Sequence, residues 1–262
     1  MRGSREGLFF ADASVSHPAP YPELTLTGLK MYIISLSFDD GFEQSNQKIA
    51  DIYERFGMSS CFNVLALEEV DGEKVFDTYH NFPKGNFALW NALQARGHEI
   101  MPHGLIHHNL ANMTLANAQK SITRCLEIFA QELKGFDAHK AVFNFAYNAS
   151  TPDIEAWLPT VVRAFRTGGD AINPLPFPGQ VRLTTTGYGP GNCEHHLEEH
   201  VARLLAQPSG WLIYNLHGLE DEGWGPIRAE YLEALLARLV RIENLKVLPV
   251  GKALAHYAER TH

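Results

Sequence analysis

The sequence predicts an α/β fold, a (β/α) barrel of seven or eight parallel strands with outer helices. Three observations predict it. Apolar runs of strand length alternate with helical stretches from Met31 nearly to the end of the chain, the pattern of a parallel sheet or barrel. Seven or eight such strands fall within about 230 residues, a density that favours a barrel over an open doubly wound sheet. The residues able to do chemistry, Asp39 and Asp40, His103 and His107, Tyr147 and His217, fall at or just past the ends of these runs, where barrel enzymes carry their sites.

Met1–Ser4 reads as a tag remnant and is set aside. Residues 1–30 are expected to be an irregular, Pro-rich N-terminal segment with a short strand at 24–27, ahead of a single domain, 31–262. Residues 31–38 form an apolar run, a strand buried on both faces. A helix over 43–56 and a strand over 59–64 follow. Asp71-Gly72 and Pro83-Lys84-Gly85 mark a loop or small hairpin. A helix over 87–96 stops at Gly97, and a short strand over 98–102 delivers His103. Thr114 starts a helix to about Leu133, with Leu115, Ile122, Leu126 and Phe129 on one face and Gly135 as its stop. Residues 141–147 read as strand. Thr151 and Pro152 are an N-cap and a first helical residue, opening a helix to Arg163. A strand over 164–167, a Gly- and Pro-rich loop over 168–181 and a strand over 181–186 come next. The pattern then gives a helix over 193–207, a strand over 211–216, a helix over 228–242, a strand over 246–250 and a helix over 252–259.

Composition narrows the function. A chain of 262 residues, 45% apolar and 20% charged, buries a full core and is not disordered. Its formal charge of −8 argues against a nucleic-acid partner, whose phosphates call for Lys and Arg. No apolar run approaches the roughly 20 residues of a membrane span. The three cysteines, Cys61, Cys125 and Cys193, form no CxxC pattern or disulfide framework; Cys61 and Cys125 are expected in the core. Leu8–Ala11 is too short for a signal-peptide core, so the chain as given reads as cytoplasmic, or as extracytoplasmic where a native signal has been removed.

The chemistry centres on Ser37-Phe38-Asp39-Asp40-Gly41. Aspartate is a poor strand former and costly to bury unless paired or bound to metal. One aspartate could cap the following helix; two in a row suggest that one holds something and the other acts. His103 and His107 are four apart, on one face if helical or convergent in a tight loop. Two imidazoles and a carboxylate are a familiar ligand set for a catalytic divalent metal. His196 and His200 share the spacing, but their charged surroundings suggest a solvated helix face. His108 reads as a bystander or a supporting group.

Taken together, Ser-Phe-Asp-Asp-Gly, the His-x-x-x-His and Leu216-His217 resemble the polysaccharide deacetylase family, the NodB-like fold of carbohydrate esterase family 4. The resemblance runs from about Met31 to Tyr257. It implies a distorted (β/α) barrel of about seven parallel strands, with Asp40, His103 and His107 binding a divalent metal, zinc foremost and cobalt or nickel as alternatives. It implies Asp39 as general base and His217 as general acid, and an acetylated sugar or polysaccharide, N- or O-acetyl, as substrate. Tyr147, Trp224 and Arg166 are the candidate substrate-side residues. Trp224 is a sugar-stacking platform or lid, or a loop tryptophan packed on the barrel; Tyr147 lines the groove or packs beside it.

The sequence departs from the family pattern in places. Gly104 stands where Ser or Thr is usual. Asn144-Phe-Ala-Tyr147 replaces Arg-x-Pro-Tyr, removing the arginine that orients the base. Arg166 either replaces it from the next strand or is a surface arginine. Asp170 either supports His217 or is an ordinary loop aspartate. The alternatives are a metal-dependent amidase on a non-sugar amide and a carbohydrate-binding barrel with little turnover. Retention of both Asp39 and His217 disfavours the binding protein, since binding needs neither base nor acid.

Overall fold

A computed structural model describes residues 30–70, 73–74 and 81–258. The expected strand at 24–27 and the turn at Asp71-Gly72 lie outside the described residues.

The elements run β1 (Tyr32–Asp39), α1 (Glu43–Glu54), β2 (Cys61–Val64), a two-strand hairpin of β3 (Glu69–Val70) and β4 (Glu73–Lys74), α2 (Phe87–Ala95), β5 (Glu99–Pro102) and α3 (Leu115–Glu132). The second half is β6 (Val142–Asn144), α4 (Pro152–Trp157), β7 (Ala164–Gly168), β8 (Ile172–Asn173), β9 (Arg182–Thr185), α5 (Cys193–Leu205), β10 (Gly210–Leu216), α6 (Ala229–Leu239), β11 (Leu245–Val247) and α7 (Val250–Ala258).

Seven parallel strands make the ring. β10, β1, β2 and β5 pair in one ladder, and β6, β7 and β9 in another. A parallel bridge, Thr186 to Tyr214, joins β9 to β10. Between β5 and β6 no backbone ladder forms among the described residues. Side chains span the gap instead: Asn144 Nδ2 donates to the Pro102 carbonyl at 3.4 Å, and the Val142 N–H points to the Met101 sulfur. The barrel is therefore distorted and open on one side.

Strand periodicity sorts the core. Ile33, Cys61, Val142, Ala164, Leu183, Trp211 and Ile213 form one buried cluster, which Val250, Ala253 and Leu254 of α7 complete. The alternate residues, such as Ile34, Phe38, Phe62, Phe143 and Leu212, join the larger cluster with the outer helices. Glu99 ties α7 in place by accepting the backbone N–H groups of Gly251 and Lys252 at 2.9 and 3.0 Å, a carboxylate at a helix N-terminus.

Several boundaries differ from expectation. The strand over 141–147 stops at Asn144, because Tyr147 and Asn148 take left-handed φ values of 58° and 52°. The helix expected to reach Arg163 ends at Trp157 and tightens into a 3-10 turn over Leu158–Thr160, with Pro159 inside it. The expected loop 168–181 contains β8, antiparallel to β10, where Asn173 pairs its amide with the Thr184 backbone. The last strand ends at Val247, and helix begins already at Val250.

Candidate active site

β1 is buried along all eight residues and ends on Asp39. Asp40 then adopts φ 74°, in the left-handed region that Asp tolerates better than most residues. Neither aspartate caps α1. The cap is Glu222, whose Oε2 accepts the Ser45 N–H at 2.9 Å and also the Ser45 hydroxyl. The loop after β10 thus closes the first helix and leaves both aspartates facing a cavity.

Asp40 Oδ1 lies 3.3 Å from His103 Nε2 and 3.4 Å from His107 Nε2. The three groups are buried, and their ligand atoms all lie within 4.8 Å of one another. His103 leaves the end of β5 with Nδ1 3.0 Å from the Asn144 carbonyl. A carbonyl only accepts, so Nδ1 carries the proton and Nε2 presents its lone pair to Asp40. His107 arrives through a loop rather than a helix. Gly104 has φ 121° there, a conformation that a Ser or Thr side chain would strain. The loop is pinned by the Ala66 and Leu67 N–H groups, which donate to the carbonyls of Gly104 and Leu105. Two imidazole nitrogens and one carboxylate oxygen, all buried and turned toward each other, fit a zinc-like divalent ion better than a magnesium or calcium ion, which prefers oxygen.

Asp39 is held differently. Its Oδ1 accepts from Asn63 Nδ2 at 2.6 Å and Arg166 at 3.1 Å; its Oδ2 accepts from Arg166 at 2.5 Å and Asn215 Nδ2 at 2.6 Å. Arg166 is 0% exposed and also donates to the Ser37 hydroxyl. Burial pushes the Asp39 carboxyl up, but Arg166, then His103, outweigh it and hold the value below the ordinary one. Asn63 Oδ1 accepts from Asn144 Nδ2 at 2.9 Å, so one amide chain links Asp39 to the residue whose carbonyl orients His103.

His217 follows β10 at the cavity wall. Burial lowers its imidazole below the usual value, against the pull of Asp40 and Asp39. The Trp224 ring stands edge-on to it, 5.6 Å between centroids, and rests on Gly189, where a Cβ would lie 2.2 Å from the indole. Tyr147 covers the other imidazole, its ring 4.6 Å from that of His107. The cavity these groups enclose measures about 580 Å³.

Asp39, Asp40, His103, His107, Tyr147, His217 and Trp224 therefore all meet in one cavity. Arg166 does not line it. It lies buried beneath Asp39, neither a surface arginine nor placed to touch a substrate. Asp170 pairs with Arg203 on the surface. His196 is half-buried rather than solvated, with Nδ1 2.7 Å from the Tyr214 hydroxyl. Cys61, Cys125 and Cys193 are all buried. Sequence reasoning missed Asn63, Asn215 and Glu222. The available signal was a lone Asn inside each of two apolar strands, a polar group that needs a buried partner.

Residues 29–156 match the family model described as polysaccharide deacetylase. Over that stretch the chain is similar to the polysaccharide deacetylase family. Members of this family are hydrolases acting on amide or ester bonds. No curated protein matches the sequence. Among solved structures, a Mycobacterium smegmatis protein assigned to the polysaccharide deacetylases superposes with a TM-score of 0.63 at 15% identity, covering 91% of this chain and 94% of its own. A family 4 acetyl xylan esterase from Clostridium thermocellum, in complex with a cobalt ion, gives 0.53 at 17% identity, covering 86% and 91%. Puue allantoinase gives 0.63 at 10% identity, covering 88% and 91%. At these identities the likeness concerns the fold. Among the described residues no helix is long and apolar enough to cross a membrane.

Proposed function

We propose that this protein removes acetyl groups, amide- or ester-linked, from an acetylated carbohydrate, with a divalent metal as cofactor. One observation carries the reading: a ligand set (Asp40, His103, His107), a separate ion-paired carboxylate (Asp39) and an imidazole (His217) face one cavity.

Asp40 Oδ1 and the Nε2 atoms of His103 and His107 would hold the metal, with zinc the first choice and cobalt or nickel as alternatives. A divalent ion there supplies Lewis acidity toward the acyl oxygen and acidifies water. Asp39, kept ionised by Arg166, takes a proton from the attacking water as its oxygen bonds to the acyl carbon. A backbone N–H near Tyr147 stabilises the oxyanion. His217, as imidazolium, gives its proton to the departing nitrogen or oxygen as the bond to the acyl carbon breaks. A lowered imidazole pKa makes that charged form the stronger acid. One water is consumed, acetic acid (which releases its proton to become acetate) and a free amine or alcohol leave, and the proton on Asp39 returns through solvent to recharge His217.

The test is acetate release by chelator-treated protein, before and after adding zinc, cobalt or nickel. The panel contains chitooligosaccharides, peptidoglycan fragments and acetylated xylan, with allantoin as the non-sugar amide. Metal-restored release that Asp39→Asn abolishes is the expected result. Release that ignores the metal, or turnover of allantoin alone, would sink the proposal.

A further inference from the structure

The cavity is bounded by an aromatic ring on each of two sides. Around the ring the strands run β1, β2, β5, β6, β7, β9, β10. Tyr147 follows β6 and Trp224 follows β10, on opposite sides of that ring. Each ring leans on a different imidazole of the centre, Tyr147 on His107 and Trp224 on His217. Two facing sides of the cavity therefore carry an aromatic ring. The third side is the segment from Gly168 to Gly169 together with Thr185, Thr186 and Gly187, mostly bare backbone. The fourth is the ligand set itself.

The chemistry of the walls narrows the occupant further. Among the described lining residues no lysine or arginine faces the cavity, and the charged groups are those of the centre. Asn148, on the wall, donates from Nδ2 to Asn215 Oδ1 at 3.3 Å, while its Oδ1 is buried without a partner. A cavity of about 580 Å³ falls within the range of about 300–1,000 Å³ that encloses most of a small ligand's surface.

We infer that the substrate is a neutral acylated molecule of one or two sugar rings, taken into the cavity whole between Tyr147 and Trp224, rather than an internal unit of a long polymer. The inference rests on the hydrolase reading above and specifies its substrate class.

The experiment is a length series. The metal-loaded protein is given N-acetylglucosamine and its β-1,4 oligomers of two to six units. kcat/KM is measured by acetate release, and affinity by quenching of tryptophan fluorescence. The expected result is a maximum at one or two units and a fall of about tenfold or more by four, because longer chains must push past a wall and gain no remote contacts. Tyr147→Ala or Trp224→Ala should flatten that fall while weakening the monosaccharide. A kcat/KM that climbs with length to four units or beyond overturns the pocket inference and leaves the hydrolase reading standing. If no member of the series is hydrolysed, the acetate-release panel above, which includes ester-linked acetyl groups, decides the hydrolase reading, and the fluorescence series alone decides the pocket. Tightest binding at one or two units supports the pocket; affinity that rises with length, or no binding at any length, overturns it.

Discussion

Strand β5 carries a histidine at each end, His98 just before Glu99 and His103 just after Pro102. Both are buried and both sit near a carboxylate. At His98 every polar atom is used. Nδ1 meets the Ser60 N–H at 3.1 Å and the Ser60 hydroxyl at 2.8 Å, and Nε2 meets Glu54 at 3.1 Å. Donors face acceptors, and the result is a clamp joining the starts of β2 and β5 to α1. At His103 only Nδ1 is spent on the protein. Its Nε2 turns a lone pair toward Asp40 Oδ1, acceptor against acceptor, and His107 Nε2 points at the same oxygen across an accessible space. Such an arrangement is stable around a cation. The contrast teaches that a buried histidine beside a carboxylate is not by itself a site; convergence of lone pairs on a cavity is what separates the two.

That contrast can be broken by mutation, starting with its strongest side. His103→Ala should lower kcat/KM by about a thousandfold or more and lose stoichiometric metal by elemental analysis, with circular dichroism unchanged. Retained metal and activity would remove the distinction between the two ends. Asn215→Leu should lower kcat by about 10- to 100-fold through loss of one Asp39 donor, with KM within about twofold and metal content intact. His98→Ala should do the reverse. Urea unfolding should show a loss of about 2 kcal/mol, while kcat/KM stays within about twofold. The smallest effect concerns Glu54. The Arg96 guanidinium, helped by His98, holds its carboxyl at about 2 against the ordinary 4.5. A depressed folded value stabilises above the unfolded pKa and loses that contribution as pH falls through the folded one. Acid titration of stability should therefore show a small extra loss between about pH 4.5 and 2 that Glu54→Gln lacks and that added salt shrinks.

Much of this contrast was readable from the sequence on the His103 side. The paired aspartates at the end of an apolar run and the His-x-x-x-His spacing are local patterns, and local patterns survive in a string of residues. The arginine missing beside Asn144 was recoverable too, since Arg166 lies one strand over, in register with Asn144 across β6 and β7. Asn63, Asn215 and Glu222 were not found, because each acts across more than 20 residues of sequence and no spacing rule connects them. The turn at Tyr147 escaped for a related reason. An alanine–tyrosine–asparagine run continuing an apolar strand gives little sign of the left-handed backbone at Tyr147 and Asn148, beside which Gly168 leaves room for the Asn148 carbonyl. The gap between β5 and β6 was likewise hidden, since strand count says nothing of which neighbours exchange backbone hydrogen bonds.

The pairing of β1 sets the order in which the molecule can be made. Tyr32 registers with Gly210 and Leu245, and only the last residues of β1 register with β2. α1 likewise waits for Glu222 to cover its first turn. During synthesis β1, which ends on Asp39, emerges long before its partners β10 and β11. Contacts of such large sequence separation fold slowly and leave an apolar edge uncovered in the interim. A chain stopped before β10 would present that edge to other proteins instead of a half-built enzyme. Yield in the cell should then depend more on translation running to completion, and on chaperones holding β1 until it does, than on the stability of the finished barrel.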